Sequence, residues 1–377
     1  MRVALVHAFR GWAASGDSDD SDDPAEAVLE QAAALGRAGH DVRVVGVDGG
    51  VGGVGGVGGG VTRTDGPRPA SWQAARRVAG LVAAHGRSPL PALRAFAPDV
   101  VHVHTAAPGS AGSAGSGLSW TAEWTRPLVA TLHAPHPGAR LTALPRAWAA
   151  ASRGGVRRDP LLRRADRVIV LSELSRDTYE RAGLPAERLT VLPHLVPVAD
   201  GPAGAGGGDA FVVVGRLTPE ERVLDLLRHW PAGRRLDVVG AGPLEPACRA
   251  AAPASVRFLG AVERPALRRL LPGYRGLVHP GPWAAGAVPA GYPRALAAGL
   301  PVLAFEGSAA PRAVRSDGTG TVAAWDAPLA AALDAADRIF PTLREHCRGV
   351  CAKRYGERAW VERTEHLYAQ VVGAAGG

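Results

Sequence analysis

Short apolar runs alternate along the chain with stretches whose apolar residues fall at helical spacing. Met1–Phe9 (MRVALVHAF) reads as a buried strand, with Arg10–Gly11 as the first turn after it. Ala25–Gly39 spaces Ala, Val and Leu at helical intervals and stops at Gly39–His40; Asp41–Val47 (DVRVVGV) is the next strand. Ser71–His85 is predicted as a helix. Further strands are predicted at Pro98–His104, Val129–His133, Asp166–Ser172 and Leu189–Leu192, with helices between them. Repeated β-then-α order predicts an α/β fold with a mainly parallel sheet.

Pro197–Gly208 (PVADGPAGAGGG) has nothing to bury and reads as a linker. The alternation then restarts: strand Ala210–Gly215, helix Glu220–His229, strand Arg235–Val239, and short strands at Val256–Leu259, Gly276–His279 and Pro301–Phe305. Arg294–Phe305 (RALAAGLPVLAF) reads as an Ala/Leu helix, a Gly stop and a Pro-started strand, and Glu357–Val372 as a terminal amphipathic helix. The expected organisation is a first Rossmann-like domain over 1–196, a linker over 197–209 and a second Rossmann-like domain over 210–356. Such a pair is expected to hold a ligand in the cleft between them, at the strands' carboxyl ends.

Two segments interrupt the pattern. Gly16–Asp23 (GDSDDSDD) is acidic and has the composition of a solvated insertion. Gly49–Gly60 is glycine-rich but lacks the helix and the Lys or Ser/Thr that a phosphate loop needs, so it reads as a flexible insertion.

The net charge of +8 suits an anionic ligand, a diphosphate or an anionic membrane surface. Arg supplies nearly all of the positive charge, without one long basic run, and no nucleic-acid-binding module is recognisable, so nucleic acid is not expected as a partner. Cys248, Cys347 and Cys351 have no companions at metal-site spacing, which fits a reducing cytoplasm. The first apolar run is too short for a signal peptide, and no run is long enough to span a bilayer. A cytoplasmic chain, with peripheral membrane contact left open, is expected.

Several segments, in order, resemble the retaining glycosyltransferases of the two-Rossmann-domain type (GT-B fold, family four): AAALGRAGHDVRVV, PDVVHVH, PLVATLH, ADRVIVLSELSRDTYERAGLPAERLTVLPHLV, VGRLTPEERVLDLL, LDVVGAGP, VRFLGAV and RALAAGLPVLA. The resemblance implies transfer of a sugar from a UDP- or GDP-linked donor to an acceptor hydroxyl, with no cofactor required. It also implies that the helix of 357–377 crosses back onto the first domain. Arg216 stands where the family places a diphosphate-binding Arg, and a forked, permanently charged guanidinium suits that role. The family's second cation, a Lys, is replaced by Glu221, with Arg222 next. His133 ends its strand where relatives carry a His facing donor and acceptor. His102 and His104 share one strand face and read as structural or cleft-lining, because metal binding would need further ligands.

The donor loop departs from the resemblance. Relatives carry Glu-x7-Glu here, and counting back from Gly299 puts Gly286 and Arg294 at the two Glu positions. Gly offers no side-chain acceptor for a sugar hydroxyl, and Arg has donors only. Pro289 has no N–H to offer a diphosphate. No Asp or Glu occurs between Arg264 and Phe305, so realignment does not restore the carboxylates. The expected donor-binding set is therefore Gly215, Arg216, Arg222, Gly286, Ala287 and Arg294, with His133 and Arg216 carrying the chemistry. An active transferase with an altered donor pocket is the leading expectation. A catalytically silent homologue acting through a protein partner is the alternative, and a polyanion binder a third reading.

Overall fold

The computed structural model describes residues 1–7, 24–47, 79–84, 88–105, 118–133, 156, 159–196, 208–281, 291–306 and 310–375. The chain forms two compact units. One takes residues up to Leu192 together with Val361–Gly377, and the other takes Pro193–Trp360.

The first unit is built on seven parallel strands: β1 (Arg2–His7), β2 (Asp41–Val47), β3 (Ala79–Ala84), β4 (Val100–Thr105), β5 (Leu128–Leu132), β6 (Arg167–Val170) and β7 (Leu189–Val191). Their spatial order is β3-β2-β1-β4-β5-β6-β7. β4 is buried at every position and β1 from its second residue on, as expected of strands covered on both faces. Helices α1 (Pro24–Arg37), α2 (Leu90–Phe96), α3 (Pro160–Arg164) and α4 (Glu173–Arg181) link the strands. Local chemistry sets their starts: the Asp159 and Ser172 side chains accept from Leu162 N and Ser175 N, at 3.0 and 3.1 Å. Val101, Val103, Leu128, Ala130, Val168, Val170 and the indoles of Trp120 and Trp124 share one apolar core.

The second unit is a six-stranded parallel sheet of β8 (Phe211–Val214), β9 (Leu236–Val239), β10 (Val256–Gly260), β11 (Leu277–His279), β12 (Val302–Phe305) and β13 (Gly320–Ala323), in the order β10-β9-β8-β11-β12-β13. Its helices are α5 (Val223–His229), α6 (Glu245–Ala251), α7 (Arg264–Leu270), α8 (Gly291–Ala297), α9 (Ala310–Asp317) and α10 (Leu329–Arg354). Phe211 packs edge-on against Trp230 and Phe340 at the centre of this core. Gly299 ends the turn after α8 with φ 68°, a left-handed conformation that glycine takes without penalty. The last helix, α11 (Glu357–Ala375), contributes to the first unit: Tyr368 is fully buried there, and Glu365 pairs with His40 at 2.8 Å.

Both sheets are doubly wound α/β layers. In each, the strand order reverses once, between β1 and β4 and between β8 and β11. At such points neighbouring crossovers run to opposite faces and leave a crevice at the carboxyl ends.

The predicted helix over Ser71–His85 is corrected. Ala79–Ala84 is a strand in register with Val42–Val47 of β2, and residues 71–78 and 85 lie outside the described residues. A short run of small apolar residues (AGLVAA) carries no period that separates helix from strand, and pairing with β2 decides it. The predicted helix over Glu220–His229 starts only at Val223, after a 3-10 turn at Pro219–Glu221.

Candidate functional site

In the first unit, histidines gather at the carboxyl edge of the sheet beside its switch point. His7 closes β1 and stands in register with His104 of β4, and His104 in turn pairs with Thr131 of β5. Strand residues two apart share a face, so His102 and His104 point the same way and their rings lie 4.2 Å apart. His102 is fixed at both nitrogens: Nδ1 is 2.7 Å from the Tyr368 hydroxyl, and Nε2 is 2.6 Å from Thr131 Oγ1. His104 Nδ1 meets His133 Nε2 at 3.0 Å, one ring donating and the other accepting. The backbone N–H of His133 donates to Thr105 O at 3.0 Å, which extends the β4–β5 ladder to the base of the His133 side chain.

All four imidazoles are buried; His133, at 8% exposure, is the most open of them and His104, at 0%, the most enclosed. Burial lowers His7 and His102 to about 3, so both are neutral at physiological pH. The sequence placed His102 and His104 on one face but did not show that His104 supports His133. The adjacency of β4 and β5 is what brings them together.

In the second unit, the corresponding edge is formed by Gly215–Arg216 after β8 and Pro280–Gly281 after β11. Leu217 pins the first of these loops: its side chain is fully buried, its N–H donates to Ala241 O at 2.9 Å, and its carbonyl accepts from Leu244 N at 2.9 Å. Arg216, one residue earlier, is exposed. Gly240 has φ 135°, and a Cβ there would lie 1.9 Å from Gly215 O, so only glycine lets β9 pass this close to the Arg216 loop.

Glu221 fills the space between the two glycine turns. Its Oε2 lies 3.2 Å from the position a Cβ on Gly281 would take, and 3.6 Å from that on Gly215. A carboxylate therefore stands at the switch point of the second sheet, where the resemblance anticipated a lysine. The glycines that make room for it come from turns after two different strands, so no local sequence signal marks the contact.

Arg222, next to Glu221, has partners of its own. Its Nε donates to Asp225 Oδ2 at 3.0 Å, and its guanidinium lies 3.9 Å from the centroid of the Trp325 ring, which itself stacks on Phe305. Its backbone is left-handed, with φ 54°. Arg294 lies half-buried on α8 near the partly buried His194, whose pKa falls to about 4 through burial first and the Arg294 charge second. The flanks of α8 are fixed: Tyr292 OH donates to Asp317 Oδ2 at 3.0 Å and meets Thr319 Oγ1 at 2.6 Å. Gly286, Ala287 and Pro289 lie outside the described residues, as do the Gly16–Asp23 and Gly49–Gly60 insertions. Among the described residues, no group of three or more His, Cys, Asp or Glu is arranged to hold a metal ion. No described helix is long and apolar enough to cross a membrane.

Two doubly wound α/β units in one chain are the architecture of the GT-B fold. Residues 25–200 match the family model for Glycosyltransferase Family 4, and residues 208–339 match that for Glycosyl transferases group 1. The chain belongs to this family of GT-B glycosyltransferases. The same fold occurs in the lipopolysaccharide outer core galactosyltransferase WaaB (13% identity, TM-score 0.65, covering 98% of this chain and 100% of that one). It also occurs in HepE from Anabaena, solved in complex with UDP (16%, TM-score 0.66, 98% and 100%). A third example is a sucrose-phosphate synthase from Thermosynechococcus elongatus (17%, TM-score 0.64, 99% and 100%). No curated protein matches the sequence.

Proposed function

We propose that the protein moves a sugar from a UDP- or GDP-linked donor to an acceptor hydroxyl with retention of anomeric configuration. The observation that carries this reading is Arg216, exposed at the switch point of the second sheet on a loop anchored by Leu217. HepE, with which the fold is shared, has been solved with UDP, with UDP and glucose, and with UDP-glucose.

On this reading residues 210–356 take the nucleotide sugar, residues 1–196 take the acceptor, and 197–209 link them. Arg216, beside Gly215, binds the diphosphate and meets the charge that grows on it as the glycosidic bond breaks. His133 donates to or accepts from a sugar or phosphate oxygen, and His104 holds its ring. Arg294, with Gly286 and Ala287, belongs to the donor loop; a guanidinium in the place of a carboxylate favours a phosphate or an acidic sugar over ribose hydroxyls. The transfer needs no resident cofactor, since the donor carries its own leaving group. A cytoplasmic location, with peripheral membrane contact, suits the thiols: Cys248, Cys347 and Cys351 are free and buried, and burial pushes Cys347 and Cys351 up to about 12.

One observation favours a second reading, a catalytically silent homologue that acts as a binding or partner protein: Glu221 puts a negative charge where an anion is to bind. A panel of UDP- and GDP-sugars, followed by proton NMR of any glycoside formed, separates the two. Sugar transfer with the donor's anomeric configuration kept supports the first reading. An inverted product rejects retention, and no donor consumption with a stable protein complex on co-purification supports the second.

A further inference from the structure

Asp317, the last residue of α9, is a carboxylate enclosed in the second unit. A buried carboxylate is costly unless donors meet its oxygens, and here they come from three elements. From α8, the Tyr292 hydroxyl donates to Oδ2 at 3.0 Å. The Tyr355 hydroxyl, just past α10, stands 3.5 Å from the same oxygen, and the Arg354 guanidinium at the end of α10 donates to Oδ1. Ser316 Oγ donates to Oδ1 at 3.2 Å. The Tyr292 hydroxyl also meets Oγ1 of the wholly enclosed Thr319 at 2.6 Å. Burial, and after it the Asp317 charge, pushes the Tyr292 and Tyr355 phenols up, so both remain O–H donors.

Tyr292 is the member of this network that belongs to α8, a helix of seven residues whose other buried side chains are Pro293, Ala295 and Leu296. Burial of such side chains is non-directional and leaves the rotation of a short helix weakly defined. Hydrogen bonds are directional, and two on one hydroxyl tie Tyr292 to both Asp317 and Thr319. The carbonyl of Pro293, in the same turn, accepts from Cys351 Sγ at 3.4 Å. Arg294 is the next residue, so any rotation of α8 that breaks the Tyr292 bonds displaces Arg294 too. Exchange of a buried polar network for apolar packing is often neutral in stability, and what the network adds is a defined position.

We propose that Tyr292 is a positioning residue for donor binding: its hydroxyl, held by Asp317 and Thr319, sets the rotation of α8 and thereby the place of Arg294. This rests on the nucleotide-sugar reading above, in which Arg294 belongs to the donor site. Tyr355 meets the same carboxylate from outside α8, so it shares the network without setting the helix.

The test is calorimetric titration with UDP, GDP and UDP-glucuronic acid, the last covering a contact from Arg294 to an acidic sugar. The proteins are the wild type, Tyr292→Phe, Tyr355→Phe, Arg294→Ala and the double variant Tyr292→Phe/Arg294→Ala, each with its melting temperature. Both phenylalanine variants keep the ring, and each is expected to melt a few degrees lower. Tyr292→Phe is expected to bind about tenfold more weakly, and Tyr355→Phe to change affinity by less than about threefold. The double variant is expected to bind no more weakly than Arg294→Ala alone, because Tyr292 acts through Arg294. If Tyr292→Phe does not fold, Thr319→Val, which removes the second bond to the hydroxyl, is expected to weaken binding in its place. Unchanged affinity in the variant that folds overturns the proposal. So do equal affinity losses in the two phenylalanine variants, which mark a structural role, and a further loss in the double variant. Each of these leaves the nucleotide-sugar reading intact, whereas a wild type that binds none of the three probes removes both.

Discussion

His104 Nδ1 stands 3.0 Å from His133 Nε2 across neighbouring strands, so the ring that ends the β5 segment is oriented by one wholly enclosed in the sheet. Within the pair, the position of one proton decides whether Nδ1 of His133 carries a hydrogen or a lone pair, since Nε2 faces His104 in either case. His104 is thus a positioning residue for His133. His104→Phe keeps a flat ring and removes the bond. It is expected to lower kcat by about tenfold to a hundredfold through misorientation, with little change in donor KM. His104→Asn, which keeps a polar group in place, is expected to recover part of the loss and to shift the pH–rate profile. Equal kcat in His104→Phe and wild type would show that the contact is only structural.

Three deeply buried imidazoles give the fold a defined acid sensitivity. His7, His102 and His279 are each lowered to about 3 by burial, while an unfolded histidine titrates near 6.5. Below pH about 6.5 the unfolded chain therefore binds protons that the folded chain does not, and stability falls as pH drops from there toward 3. Each histidine contributes a loss of up to about 2 kcal/mol between pH 6.5 and 5. Urea midpoints measured from pH 7.5 to 5 are expected to fall below 6.5, less steeply for His102→Gln. A midpoint independent of pH across that window would mean that these rings are protonated in the fold.

Gly240 joins stability to binding. Alanine there would meet Gly215 O at 1.9 Å and would have to hold φ 135°, so Gly240→Ala is expected to cost about 3 kcal/mol. Because the displaced carbonyl belongs to the residue before Arg216, nucleotide affinity is expected to fall as well. Thermal unfolding and nucleotide titration of this one variant read both effects; an unshifted melting temperature would contradict the packing described.

Much of this architecture can be read along the chain. The apolar runs at Val100–His104, Val129–Leu132, Val168–Leu171 and Phe211–Val214 are short, continuous and rich in β-branched residues, which favours buried strands, and Gly299 marks its helix end by chemistry alone. Ala79–Ala84 escapes that logic, because a short stretch of small apolar residues carries no period and β2 decides its pairing. β13, with Gly320, Thr321, Val322 and Ala323, is too short and mixed to stand out. The site divides in the same way. The exposed position of Arg216 just past β8 is legible because a strand-ending Gly-Arg-Leu is a local pattern. The His104–His133 bond and the Gly215–Glu221–Gly281 contact are not, because strand order in space creates them.

Arg222 looks in sequence like a spare cation for the diphosphate, but its guanidinium is already paired with Asp225 and stacked on Trp325. Arg222→Ala is expected to lower stability by about 1 kcal/mol through loss of the ring contact, and to change nucleotide affinity by less than about threefold. A large affinity loss without destabilisation would move Arg222 into the donor site.

The central claim is that the second unit binds a nucleoside diphosphate through Arg216. Calorimetric titration with UDP and GDP in magnesium-containing buffer, with Arg216→Ala beside the wild type, tests it most directly. Micromolar binding of at least one nucleotide is expected, weakened by about tenfold to a hundredfold in Arg216→Ala as a charged hydrogen-bond partner is lost. Absence of binding, or equal binding by the two proteins, would contradict it.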